Sequence, residues 1–124
     1  EEVEWAQAIL ISEINRANED MFHMQELMRR MHERSELLKQ AGVADELLAT
    51  NRHIESLAKR LGVYNIKPTT SLEQLDIRLK NTLAYRHNLQ SKAEKLNNRS
   101  KELKETQKEL NESGMTELIT NFMF

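Results

Sequence analysis

The residues that most resemble a chemical site are methionines and histidines concentrated in one short stretch. They are Met21, His23, Met24, Met28, Met31 and His32. Thioether and imidazole groups suit Cu(I), so a soft-metal site is one interpretation. The four methionines, however, share the spacing of one helix face, where methionine fills irregular cores or forms adaptable contact surfaces. We therefore interpret them as packing residues or a partner-binding groove, and we predict no metal.

Other chemistry needs residue patterns that this sequence lacks. A carboxylate-bridged metal site needs an acidic residue three positions before a histidine on each of two helices. That spacing occurs once, at Asp20 and His23. The chain has no nucleophile motif, no glycine-rich phosphate loop and no cysteine. We therefore predict a protein that is not an enzyme and has no cofactor.

The composition favours a helical protein. The chain has 124 residues, enough for one domain, of which 31% are charged and 5% aromatic. Its net charge of −2 gives no field that attracts nucleic acid. No apolar run approaches the roughly 20 residues that span a bilayer. We expect a soluble protein without a membrane span, and we favour a cytoplasmic location.

A seam of twelve positions, spaced alternately by three and four residues, organises the second half of the chain. The positions are Leu72, Leu75, Leu79, Thr82, Arg86, Leu89, Ala93, Leu96, Ser100, Leu103, Gln107 and Leu110. Such spacing over more than five heptads is typical of a coiled-coil helix. It predicts helix 3 from about residue 71 to 112. Thr70 and Glu73 fit a capping box at its start.

A second seam predicts helix 1 from about residue 2 to 40. Its positions are Leu10, Ile14, Ala17, Met21, Met24, Met28, Met31, Ser35 and Leu38. Gly42 follows, as is common just past a helix end. A shorter apolar face predicts helix 2 from about 44 to 61; it consists of Leu47, Leu48, Ile54, Leu57, Ala58 and Leu61. Residues 62–70 contain the only proline and are predicted to be a loop.

Two long helices and one short helix predict the fold class. A helix of about 40 residues is ~60 Å long, so the molecule should be elongated. Helix 2 can cover only half of that length. We predict an all-α protein with a single domain: an elongated antiparallel helical hairpin or coiled coil, partly a three-helix bundle, with a short C-terminal helix.

Charge favours antiparallel pairing of helices 1 and 3. Residues 1–20 carry six acidic side chains and one basic one, net −5, whereas residues 86–108 carry seven basic and three acidic ones, net +4. Such flanking charges set orientation in helix pairs. The match is made within one chain in a full hairpin, in which residues 62–70 must climb back along the bundle. It is made between chains in an up, down, up order, and both arrangements are open.

Polar residues within and beside the seams have two interpretations each. The basic residues of helix 3 alternate with acids and overlap the leucines, which favours a solvated face over a nucleic-acid reader. Arg86, Gln107 and Asn51 occupy seam positions, where a polar residue can specify register. Alternatively, the methylene groups of Arg86 lie on the seam while its guanidinium group stays in water.

The end of the chain carries the most specific interaction signal. Met115, Leu118, Ile119 and Phe122 have the spacing of a helix that lies in a groove, within a predicted segment 115–124. This segment either folds back over the open half of the hairpin near Ala8 and Leu10 or docks on another chain. We predict fold-back in the free protein.

Together these patterns predict a non-enzymatic protein–protein interaction module, a coiled-coil scaffold or assembly subunit. Its partner would be a helical segment of another chain or a second copy, possibly in a homodimer. The candidate partner-binding residues are Met115, Leu118, Ile119, Phe122, Leu89, Leu96, Leu103, Leu110, Met21, Met24, Met28 and Met31. The alternative is a small chaperone or regulator that shields an apolar helix of a client protein with the methionine-rich seam.

Overall fold

The computed structural model describes residues 2–112, which form three α-helices and one short 3₁₀ turn. Helix α1 spans Glu2–Leu37, α2 spans Ala44–Arg60, the 3₁₀ turn spans Gly62–Tyr64, and α3 spans Leu72–Glu112. Residues 2–112 contain no strand. The predicted all-α fold is therefore confirmed. The predicted C-terminal segment 115–124 lies outside the described residues.

Helix α1 ends three residues earlier than predicted. After Leu37 the chain tightens into turns, in which the amides of Lys39 and Gln40 donate to the carbonyls of Glu36 and Leu37 at 3.2 and 3.0 Å. These bonds satisfy carbonyls that have no partner within the helix. Gly42 has a φ of +75°, so the reversal after the helix uses the conformation that favours glycine.

The start of α3 is capped by a different residue from the one predicted. The Ser71 hydroxyl accepts the Gln74 amide at 3.2 Å, which is the usual bond of an N-cap side chain. The Thr70 hydroxyl instead accepts the Lys67 amide at 2.8 Å within the loop. The predicted capping box of Thr70 and Glu73 is thus wrong by one residue, because Thr70 is needed to close the loop turn.

Hydrogen bonds between helices show how they run. Between α1 and α3, the Thr82 hydroxyl lies 3.9 Å from Met24 Sδ and Arg86 donates to Asn18 at 2.8 Å, so later residues of α3 lie beside earlier residues of α1. In α1 and α2, Thr50 donates to Glu33 at 3.3 Å, and Arg60 lies 3.4 Å from the His23 ring nitrogen. Both α2 and α3 therefore run antiparallel to α1, which is the full hairpin.

This topology requires the loop to climb back beside α2. The end of α2 lies level with His23 of α1, whereas the Met24–Thr82 pairing places Leu72 near the level of residue 34. The climb is thus about 17 Å at ~1.5 Å per helical residue. Seven residues, 65–71, can reach that distance without full extension, since each spans up to ~3.3 Å. Ile66 within this loop is buried.

The hydrophobic core lies where α2 and the loop cover the α1–α3 pair. One connected cluster of buried residues contains Met24, Leu27, Met31, Ile54, Leu57, Ala58, Leu61, Ile66 and Leu75. All of its α1 members lie in the second half of that helix. Each fully buried leucine contributes about 1.5–3 kcal/mol by leaving water. Stability is therefore concentrated at this end of the molecule.

Only two helices remain toward the other end. Leu89 is buried there, but no described residue of α1 before Ala17 and no residue of α3 after Leu89 is. Thr82, at the border of the two regions, is buried, and its hydroxyl donates to the Arg78 carbonyl at 2.8 Å. The predicted division into a three-helix part and a two-helix part is thus present.

The leucine row of α3 should show a gradient of stability effects. Leu75 is 0% exposed, Leu89 4% and Leu103 56%. We expect Leu75→Ala to lower the free energy of unfolding by about 3–5 kcal/mol, Leu89→Ala by about 2–3 and Leu103→Ala by less than about 0.5. Urea unfolding followed by circular dichroism measures all three. Equal losses at Leu75 and Leu103 would contradict this burial pattern.

The length of α3 sets the size of the particle. Its 41 residues correspond to about 60 Å at ~1.5 Å per residue. Small-angle X-ray scattering should therefore give a maximum dimension of at least that value. A shorter dimension would show that α3 is broken in solution.

Candidate helix-binding surface

The end of α3 extends beyond the start of α1. The Asn18–Arg86 pair sets the register of the two helices. Nearer the start of α1, Gln7 and Ile11 line one groove together with Ala93 and Asn97 of α3. Continued to the first residue of α1, this register places Glu2 opposite about residue 102. Some ten residues of α3, or ~15 Å, therefore project past α1.

The projecting part of α3 continues the apolar row but is exposed. The row consists of Leu75, Thr82, Leu89, Leu96 and Leu103, and its successive members are seven residues apart. Leu96 is half-buried, Leu103 is exposed, and every residue from 101 to 109 is exposed. Leu110 continues the row and is 43% exposed. The same sequence pattern is thus buried at one end of α3 and open at the other.

The second row of the seam changes from apolar to polar toward the same end. It consists of Leu72, Leu79, Arg86, Ala93, Ser100 and Gln107. Leu79 packs against the core, Ser100 is half-buried, and Gln107 is exposed. Small side chains at Ala93 and Ser100 keep this part of the seam narrow. Polar residues in such a row restrict the registers that a partner helix can adopt.

Arg86 combines the two interpretations that the sequence left open. Its guanidinium donates to Asn18 Oδ1 at 2.8 Å in an exposed position. Its Nε is buried and has no hydrogen-bond partner among the described residues. The side chain therefore lies along the seam and reaches out to the rim, where the bond to Asn18 helps to define the α1–α3 register.

The methionines predicted to bind a partner lie in the core. Met21, Met24 and Met31 are buried, and Met28 is half-buried against the core cluster. The packing interpretation of these residues matches their positions. A partner or client helix could reach them only if α2 or α3 first moved away, so the surface of the described chain does not present them. Met115, Leu118, Ile119 and Phe122 lie outside the described residues.

The ion pairs of the structure are local. Five are present among residues 2–112, and each joins two residues three or four positions apart; four lie within one helix, and the Glu36–Lys39 pair spans the end of α1. Exposed pairs of this kind contribute only a few tenths of a kcal/mol. The acidic start of α1 and the basic part of α3 do run side by side as predicted, but no ion pair between them is present in the described chain.

A cleft lies where the 3₁₀ turn meets α1 and α3. It has a volume of about 320 Å³, and its polar lining consists of Glu13, Arg16, Asp20, Tyr64 and Tyr85. The Tyr64 hydroxyl donates to Asp20, and the Tyr85 hydroxyl donates to Glu13 at 3.4 Å. Burial and the Asp20 carboxylate raise the pKa of Tyr64 to about 12. The Tyr64 phenol is thus a neutral donor at ordinary pH, and the two hydrogen bonds join the 3₁₀ turn and α3 to α1.

The histidines do not assemble a metal site in the described chain. His23 and His53 line a groove between α1 and α2 with Glu26 and Arg60, and the guanidinium of Arg60 lies 3.4 Å from the His23 ring. Within residues 2–112, no group of three histidine, cysteine, aspartate or glutamate side chains is placed to hold a metal ion.

Several residues that join the elements were not found from the sequence. Leu27 is fully buried and Thr50 is buried although neither lies on a predicted seam or face, and Leu48, which was predicted to lie on the face of α2, is exposed. A third helix widens the apolar face of α1, so the flanking position of Leu27 could have been inferred from the predicted bundle. No local signal indicates that Tyr64 would reach Asp20, 44 residues earlier.

Comparisons with known proteins yield no relative for this chain. No protein-family model, curated protein or solved structure matches it. Within residues 2–112, none of the helices combines the length and apolar character needed to cross a membrane. The functional argument therefore depends on the geometry of the chain alone.

The Tyr64–Asp20 bond generates a pH-dependent prediction. We expect Tyr64→Phe to lower the free energy of unfolding by about 0.5–1.5 kcal/mol at neutral pH, because it removes a donor to a carboxylate. The raised pKa of Tyr64 means that the folded state holds the phenol proton more tightly. This stabilisation is complete below pH ~10 and is lost as the pH rises through about 12.

Urea unfolding at neutral pH and at several alkaline pH values tests this expectation. The difference between the unmodified chain and Tyr64→Phe should narrow above pH ~10. Tyr85→Phe is the matched control, since its exposed 3.4 Å bond should contribute less. A difference that stays constant through the alkaline range would contradict the role given to the Tyr64 phenol.

Proposed function

We propose that this protein is a non-enzymatic protein–protein interaction module, a coiled-coil scaffold or assembly subunit, and that the exposed end of α3 is its helix-binding surface. The observation that carries the proposal is the solvent exposure of Leu103. This residue continues the row of Leu75 and Leu89, yet 56% of it is exposed while they are buried. A leucine row extended beyond its neighbour helix is what an incoming helix would cover.

The flanks of this surface suit a helix partner. Lys101, Lys104 and Lys108 alternate with Glu102, Glu105 and Glu109, all of them exposed. Charges of both signs beside an apolar row select the orientation of a helix by their match with its own charges. The polar second row, with Gln107 exposed, adds a restriction on register. The surface is thus suited to one helix in one alignment.

The surface is also energetically separate from the core. The core cluster ends at Leu75 on α3, with Leu79 packed against it, and Leu103 lies 28 residues, or ~42 Å, beyond Leu75 along the helix. Binding there can therefore bury new apolar area without opening the three-helix part. By contrast, a partner for Met21, Met24 and Met31 would have to disrupt that part.

Self-association provides a direct test of the helix-binding surface. We expect light scattering coupled to size exclusion to show a mass that rises with concentration in a chain shortened to end at Gly114. Leu103→Ala in this background should suppress the rise, because it removes the apolar contact. Leu83→Ala is the matched control, since Leu83 is also an exposed leucine of α3 but lies off the seam.

The outcomes of this test are distinct. Loss of association in Leu103→Ala but not in Leu83→Ala supports the assigned surface. Association that neither substitution weakens would mean that another part of the chain mediates it. A mass that remains that of one chain at all concentrations would contradict a self-associating scaffold.

A further inference from the structure

A groove between α1 and α2 brings together side chains that suit an anion. Its volume is about 330 Å³. His23 of α1 and Arg60 of α2 meet across it, with a guanidinium nitrogen 3.4 Å from the histidine Nε2. Ser56 lines the groove one helical turn before Arg60, and His53 lines it one turn farther. Arginine, histidine and serine side chains can all donate hydrogen bonds to an oxyanion.

The positive charge of Arg60 has no carboxylate partner in the described chain. The five ion pairs within residues 2–112 all use other cations. A guanidinium group carries five N–H donors, and the His23 ring takes up one of those of Arg60. Arg60 is also exposed. Its remaining donors can therefore reach a ligand that enters the groove from solvent.

Glu26 is the acidic residue that lines this groove. Its carboxylate accepts a hydrogen bond from the Arg29 guanidinium at 2.8 Å. This bond is the main cause that lowers the pKa of the Glu26 carboxyl, so the group is ionised at neutral pH. Because Arg29 offsets the charge of Glu26, the groove keeps the positive charge of Arg60.

The ring of His23 is held from two sides. The Phe22 ring contacts it edge to face, with the centroids 5.7 Å apart and the planes at 70°, and Arg60 lies against Nε2. Donors that are already oriented lose less conformational freedom when a ligand binds. Phe22 and Leu57 also line the groove, so they provide apolar contact beside the polar groups.

We propose that the groove between α1 and α2 binds a phosphate group, with Arg60, Ser56 and protonated His23 as donors. Phosphate has enough oxygens to accept from both helices at once, whereas the two oxygens of a carboxylate are matched by the arginine fork alone. His53 adds positive charge at the far end of the groove when it is protonated. Phosphate binding here is separate from helix binding at the end of α3 and does not depend on it.

Titration of the ¹⁵N-labelled full chain with inorganic phosphate at neutral pH tests this site, with sodium chloride holding the ionic strength constant. We expect saturable shifts in the amide resonances of residues 53–60. Arg60→Gln should weaken the affinity about tenfold, because it removes charged hydrogen bonds. Lys59→Gln is the matched control: it removes the same charge from the adjacent residue, which does not line the groove, and should leave the affinity unchanged.

Glu26→Gln provides a readout that damage to the fold would not produce. It should strengthen phosphate binding, because it removes a negative charge from the groove and releases Arg29. Glu26 is half-buried and Arg60 is exposed, so neither substitution opens the core. Circular dichroism checks that both variants keep the helix content of the unmodified chain.

The source of the phosphate is distinguished by a second probe. Tighter binding of phenyl phosphate than of inorganic phosphate would assign the groove to an organic phosphate, whereas equal binding would assign it to the free ion. The proposal is overturned if phosphate gives no saturable shifts, or if Arg60→Gln and Lys59→Gln weaken binding equally. Acetate binding as tightly as phosphate would also overturn it, since a carboxylate would then be sufficient.

Discussion

The structure depends on the place where α1 is shared by two other helices. Met24 and Leu27 of α1 lie in one buried cluster with Ile54 and Leu57 of α2 and Leu75 of α3. Because a single helix face can bury its full width only against two neighbours, this is the part of the molecule with a substantial core. The rest is built outward from it along α1 and α3, and burial falls with distance from this cluster.

The parallel direction of α2 and α3 is the second constraint on the fold. Two parallel helices cannot be joined by a tight turn, so residues 65–71 have to run back along the bundle. The loop is held by buried Ile66, by the bond from Tyr64 to Asp20 and by the Lys67–Thr70 turn. Each of these contacts ties the loop to α1 or to itself. They explain why a loop with little regular structure still contributes to the core.

The distance between core and surface bears on function. Leu103 is remote from the cluster around Leu75, so changes at the end of α3 leave the three-helix part intact. The proposed binding surface can therefore be occupied, exposed or covered without unfolding the molecule. The cleft near Tyr64 lies between these regions, and its phenols are engaged in bonds to Asp20 and Glu13 that hold the elements together.

Much of the local structure was determined by the sequence itself. The three- and four-residue spacing defined α1 and α3. It also defined the seam positions of α3 from Leu72 to Ser100, all of which are buried or half-buried, the polar ones included. Gly42 marked the reversal after α1, and the unequal helix lengths predicted a bundle that is only partly three-helical. The Ser71 cap was missed by one residue, because the choice between adjacent hydroxyls depended on the loop turn.

Only the tertiary structure decided which part of each pattern is covered. Leu89 and Leu103 occupy equivalent positions in the same repeat, yet 4% of one and 56% of the other are exposed. The full hairpin is possible in place of the up, down, up order because residues 65–71 are long enough to run back along the bundle. The physical reason is the same in both cases. Local spacing specifies which face of a helix is apolar, whereas burial depends on where a neighbouring helix begins and ends, and that is set by contacts between residues far apart in the chain.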